Sequence, residues 1–160
     1  MKRIWAPWRM KFIESSSKGC VFCKVQVQTD DPANMIVFRG KHSFVILNRY
    51  PYTSGHLLVV ANDHAASLED LEAGTRAEIM ELVTQAMSVL RKVYQPHGFN
   101  IGANIGEAAG AGIAGHVHMH VVPRWVGDSN FMMTLAETKV LPEALEDSYQ
   151  RILVAWTPKE

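Results

Sequence analysis

The chain is poor in the features that mark a membrane protein, a secreted scaffold or an electrostatic binder. No apolar run approaches the length that crosses a bilayer, and the N-terminus has no signal-peptide apolar core, so a cytoplasmic protein is expected. Sixteen basic and sixteen acidic residues cancel, which argues against binding nucleic acid or a membrane surface through charge. Cysteine occurs twice, as the CxxC of Cys20 and Cys23, a spacing that in a cytosolic chain means metal or redox chemistry more often than a structural disulfide. There is no GKS or GKT, which excludes a Walker phosphate loop. Repeats and low-complexity segments are also missing, and 160 residues suit a single domain, 1–160, of which 1–19 form an N-terminal arm and linker.

What is present centres on His116-Val117-His118-Met119-His120-Val121-Val122. Histidines alternating with apolar residues have strand periodicity, which puts His116, His118 and His120 on one face. Three imidazoles sharing a face need phosphate, metal or other partners to satisfy them. Alternate side chains on a strand lie roughly 6–7 Å apart, so one phosphate reaches His118 and His120 but not easily His116. A separate task for His116 follows.

Met35–Phe38, Phe44–Asn48, His56–Ala61, Phe99–Asn104 and His116–Pro123 read as strands, the first two joined by a turn at Arg39-Gly40-Lys41. Thr75 and Glu78 form a capping box ahead of a long helix carrying Ile79, Leu82, Val83, Ala86, Leu90, Val93 and Tyr94, which Pro96 and Gly98 end. A last helix is expected from near Pro142, with Leu145, Ile152, Leu153 and Trp156 on its apolar stripe. The order predicts an α+β fold, a mostly antiparallel five-stranded sheet with one long helix and a C-terminal helix. Residues 100–115 hold five glycines, whose small size lets backbone N–H groups approach a phosphate; a flexible connection is the alternative.

The His-φ-His-φ-His-φ-φ run, with φ apolar, resembles the signature of the histidine triad family of nucleotide hydrolases and transferases. The similarity extends over Leu47-Asn48-Arg49-Tyr50-Pro51-Tyr52-Thr53-Ser54-Gly55-His56, Pro123-Arg124-Trp125 and Gly127-Asp128-Ser129-Asn130-Phe131. The context of Arg124, Trp125, Gly127, Asp128, Asn130 and Phe131 looks closer to the dinucleoside polyphosphate branch than to the phosphoramidase branch. The opening Trp5-Ala6-Pro7-Trp8-Arg9 resembles bacterial members that include diadenosine tetraphosphate phosphorylases. Packing on the domain or on a dimer mate is the favoured role for this basic, aromatic arm, over direct ligand contact.

The resemblance implies a nucleotidyl-histidine intermediate at the α-phosphate of an adenosine nucleotide, a diadenosine polyphosphate by preference. His118 would be the nucleophile and His120 a donor to the same phosphate. Asn48 would hold the ribose, a turn role being the alternative, and His56 would support the triad within the nucleotide site. Asn104, Gly110, Ala111 and Gly112 would face the phosphates. Cys20, Cys23, His64 and His116 would hold a structural zinc ion, with His64 otherwise a helix-flanking residue. A homodimer through the long helix and the sheet is implied as well. The phosphorylases use an asparagine, a glycine and a serine to hold the attacking phosphate; Ala111 and Gly112 stand where the glycine and serine would be, so hydrolysis is expected to predominate over phosphorolysis. The other readings are an adenosine phosphoramidate hydrolase, a non-catalytic nucleotide-binding module and a zinc-bearing structural domain.

Overall fold

The computed structural model describes residues 19–128 and 142–156. The expected arm, most of the linker, and Ser129, Asn130 and Phe131 lie outside these residues. The apolar runs pair into one antiparallel sheet in the order β1-β2-β3-β5-β4, with β1 Ile36–Arg39, β2 Ser43–Leu47, β3 Leu57–Ala61, β4 Gly98–Gly102 and β5 His118–Arg124. Every residue of β2 and β3 is buried, because these strands sit mid-sheet with both faces covered.

Two short helices precede the sheet, α1 (Val21–Gln26) and α2 (Asp31–Asn34). The long α3 (Ala73–Tyr94) and the C-terminal α4 (Leu145–Trp156) cover one sheet face. Ile79, Leu82, Val83, Ala86 and Leu90 of α3 pack with Val45, Leu47, Leu57, Val59 and Val121, and Tyr149, Ile152 and Trp156 of α4 extend that core. The opposite face carries Ile36, Phe44, Ile46, Leu58 and Val60, capped by Phe22 of α1. Val60 pairs with His118, and Leu58 with His120, which sets both histidines on this second face.

Several boundaries move, each for a local reason. Met35 takes a left-handed φ of 61° as the C-cap of α2, so β1 starts at Ile36. His56 closes a turn, its N–H donating to Thr53 O at 3.2 Å, and stands just before β3. β4 ends at Gly102 rather than Asn104, and β5 begins at His118, leaving His116 ahead of the strand.

The capping box is not formed. α3 begins at Ala73, which buries Thr75 inside its first turns, and Glu78 instead accepts from His42 N at 3.0 Å, Ser43 N at 3.2 Å and Ser43 Oγ at 3.1 Å. That carboxylate satisfies the donors of the β1–β2 turn and ties the hairpin to the helix. α3 ends as Gln95 turns left-handed, just before Pro96. α4 starts at Leu145, three residues beyond Pro142, where Glu143 accepts from Ser148 Oγ at 2.6 Å and Tyr94 Oη at 2.5 Å.

Candidate active and metal sites

α1 opens with the CxxC. Cys20 is its N-cap residue and Cys23 lies in its first turns, so the pair starts a helix rather than sitting in an extended linker. Opposite stand His64, from the turn after β3, and His116, from the turn before β5. These four residues bring their donor atoms within 4.8 Å of one another.

The spacing suits a tetrahedral ion. Metal–nitrogen bonds near 2.0–2.1 Å and metal–sulfur bonds near 2.3 Å set neighbouring donors roughly 3.3–3.8 Å apart. His64 Nδ1 and His116 Nδ1 are 3.3 Å apart, Cys20 Sγ and His116 Nδ1 3.3 Å, Cys23 Sγ and His64 Nδ1 3.3 Å, and Cys23 Sγ and His116 Nδ1 3.6 Å. His116 Nε2 donates to Ala61 O at 2.9 Å, which fixes its tautomer and turns the Nδ1 lone pair toward the cluster. Burial and the neighbouring Cys20 sulfur push the Cys23 thiol above its ordinary value, a condition a bound cation would reverse. The four residues can hold a metal ion.

The second group continues along β5. His118, only 6% exposed, donates from Nδ1 to His116 O at 2.8 Å, leaving Nε2 with the lone pair. Burial pushes its pKa below the ordinary histidine value, against the opposing effect of that carbonyl, so the neutral ring is favoured at pH 7.

His120 is fixed from behind. The Tyr52 backbone N–H donates to His56 Nδ1 at 3.1 Å, so that atom carries no proton, and Asn48 Nδ2 lies 3.3 Å from it. His56 therefore carries its proton on Nε2 and donates to His120 Nδ1 at 2.9 Å. The neutral His120 ring must then carry its proton on Nε2, as a donor. The ring centroids of His118 and His120 are 5.0 Å apart, and the Tyr52 ring stacks on His120 at 6.0 Å with an interplanar angle of 8°.

Both triad residues open on a cavity of about 450 Å³, whose walls include Phe22, Ile46, Leu58, Asn48, Asn104 and Gly112. A second cavity of about 380 Å³ lies beside it along β4 and β5.

The expected site residues thus separate by position. His118, His120, Asn48, Asn104 and Gly112 line the first cavity, whereas Gly110 and Ala111 do not. The Gly110 N–H is spent on Glu107 O at 2.9 Å and the Ala111 N–H on Gly106 O at 3.3 Å, both inside the loop. His56 is wholly buried behind His120 and lines neither cavity. Asn48 lines the cavity, and its Oδ1 accepts from Tyr50 N at 3.0 Å in a local turn. Sequence reasoning passed over Phe22, whose ring contacts His116 at 5.3 Å and His118 at 5.0 Å. Its place between the two cysteines was the available signal. Tyr52 was also passed over, although it lies within the stretch that carried the resemblance.

The profile of the HIT domain family matches residues 29–126. A relative named AP-4-A phosphorylase, from Mycobacterium tuberculosis, is 38% identical over 166 residues, covering 98% of this chain and 85% of its own. Protein hit of Bacillus subtilis is 28% identical over 109 residues, covering 68% of this chain and 73% of its own. Among solved structures, a zinc-bound histidine triad family protein from Mycobacterium smegmatis superposes with a TM-score of 0.70 at 29% identity, covering 86% of this chain and 93% of that one.

Proposed function

The chain belongs to the HIT domain family, and on that footing we propose that it is a nucleotidyl hydrolase or transferase acting at the α-phosphate of a dinucleoside polyphosphate. The observation that carries this reading is the pair of fixed tautomers. His118 keeps a lone pair at Nε2 and His120 a proton at Nε2, and both rings line one cavity. His118 Nε2 attacks phosphorus, the bond to the bridging oxygen breaks, and the other nucleoside leaves as its polyphosphate, carrying that oxygen. His120 donates to the same phosphate as its charge builds, and an acceptor oxygen then displaces the imidazole. The first cavity takes the nucleoside, with Phe22, Ile46 and Leu58 against the base and Asn48 toward the ribose.

Water is the acceptor this site favours. Gly110 and Ala111 spend their N–H groups within the loop, and Gly112 offers backbone alone, so a second phosphate finds few donors. The similarity to the Mycobacterium tuberculosis phosphorylase favours a second reading, in which inorganic phosphate is the acceptor. Turnover of diadenosine tetraphosphate with labelled phosphate separates the two. Unlabelled products are expected; label mainly in ADP would establish phosphorolysis. In the same assay His118→Ala should lose turnover while keeping nucleotide affinity, and a residual rate above about one tenth, under about 1.4 kcal/mol, overturns covalent catalysis.

The metal fitting Cys20, Cys23, His64 and His116 is zinc, since two thiolates and two imidazoles in a tetrahedron suit that ion, and the Mycobacterium smegmatis neighbour is described as zinc-bound. Four protein ligands leave no open position, so the ion supplies rigidity rather than chemistry. Near-stoichiometric zinc is expected by elemental analysis and should be lost in Cys23→Ser. The protein pairs as a homodimer in a cytoplasmic setting. β4 supports this, being an edge strand with Ile101 41% exposed and Ile105, just beyond it, 40% exposed. Light scattering at micromolar concentration should give twice the chain mass.

A further inference from the structure

Two cavities of similar size, about 450 and 380 Å³, meet at one seam. Tyr52, Asn104 and His120 line both, whereas His118 lines the first alone. β5 runs on from His120 through Val122 to Arg124 on the same face, so the second cavity extends roughly 13 Å from the seam on the side remote from His118.

The chemistry of its wall is polar but close to neutral. Arg124 is held by Asp128 through two bonds, Nε to Oδ2 at 2.6 Å and Nη2 to Oδ1 at 2.8 Å, and donates from Nη1 to Asn100 Oδ1 at 2.6 Å. A guanidinium matched in this way is a poor trap for an anion. What remains on offer is the amino end of Asn100, the flat face of the Arg124–Asp128 pair, and the apolar surface of Val122. That mixture suits an uncharged, flat, hydroxyl-bearing group.

We propose that this second cavity binds the far nucleoside of the dinucleoside polyphosphate. The phosphates cross the seam at Asn104 and His120, and a nucleoside sits at each end. This inference rests on the nucleotidyl-transfer reading above and adds the recognition of a two-ended substrate. It makes Asn100 and the Arg124–Asp128 pair specificity determinants with no part in bond breaking.

The test compares ligands that differ in the second nucleoside. With full-length His118→Ala protein, calorimetry measures diadenosine tetraphosphate, adenosine 5′-tetraphosphate and AMP. Diadenosine tetraphosphate should bind about tenfold more tightly than adenosine tetraphosphate, a difference of about 1.4 kcal/mol. Adding Gly102→Phe or Asn100→Trp fills the cavity; a Cβ at Gly102 meets no heavy atom within 4 Å, so the first of these fits without backbone strain. Either addition should bring the two tetraphosphates within about twofold of each other while leaving AMP affinity in place. Equal affinities before plugging, or a gap that survives both plugs, overturns the proposal and leaves the nucleotidyl-transfer reading intact. Failure of all three ligands to bind the unplugged protein overturns that reading and this inference with it.

Discussion

The direction of the His56–His120 hydrogen bond is set by a backbone amide. Tyr52 N–H can only donate, so His56 Nδ1 must accept, and the proton order follows outward to His120 Nε2. His56 is therefore a positioning residue, and His56→Ala should free His120 to take the other tautomer. A loss of one to two orders of magnitude in kcat is expected, with KM nearly unchanged. Nitrogen NMR of the His120 ring reads the cause directly: Nε2-protonated in the parent, mixed in the variant. An unaltered tautomer alongside a lost rate would refute the relay. The alternation of His118 and His120 along β5 was legible because a period of two can be read from letters alone, whereas His116, expected on the same strand, stands ahead of it. The depth of His56 was not, since burial behind another side chain depends on the turn between Asn48 and β3, which sequence marks only as a loop. The internal bonds of the Gly110 and Ala111 N–H groups were not legible either, because a glycine-rich loop does not announce which of its amides bond internally.

At the level of elements, the strands and the two larger helices were readable from apolar periodicity, and their ends were less so. α1 and α2 are too short to show a period, and their stability comes from tertiary ties: Arg39 bridges Asp31 at 2.7 Å and the backbone carbonyls of Gln26 and Gln28. Glu78 was read as half of a capping box because Thr-x-x-Glu fits that motif, but the β1–β2 turn competes for the carboxylate and wins three donors. α4 depends on a comparable carboxylate. Burial alone would raise the Glu143 pKa, but hydrogen bonds from Ser148 and Tyr94 and the pairing with Arg151 outweigh it and hold it low. The same cluster pushes the Tyr94 hydroxyl up to about 12, burial contributing most. Because the folded pKa lies below the unfolded one, Glu143 adds stability above the unfolded value of about 4.3 and loses it as pH falls through the folded value. Glu143→Gln should lower Tm by a few degrees at pH 7 and by less near pH 3, as followed by thermal melts across pH.

For the whole molecule, the sheet's two faces divide the work. α3 and α4 bury one face in the main core, and the other is left for the histidines, with α1 as a wall. Phe22 joins the two sites, because it stands between the metal cluster and His118 and also lines the first cavity. The metal cluster has a further property that lies in chain order rather than in space. Cys20 and His116 are 96 residues apart, and Cys23 and His64 are 41 apart. An ion joining them is a cross-link over a long loop, and closing about 100 residues removes on the order of 4–5 kcal/mol of unfolded-chain entropy in a covalent link. A bond that forms only once β3 and β5 are paired would arrive after the main barrier of folding has been crossed. Metal removal should then leave the folding limb of a denaturant chevron almost in place and raise the unfolding limb by orders of magnitude. Equal shifts in both limbs would instead put the ion in the folding nucleus. Were the ion to arrive late, loaded protein would persist because it is slow to come apart.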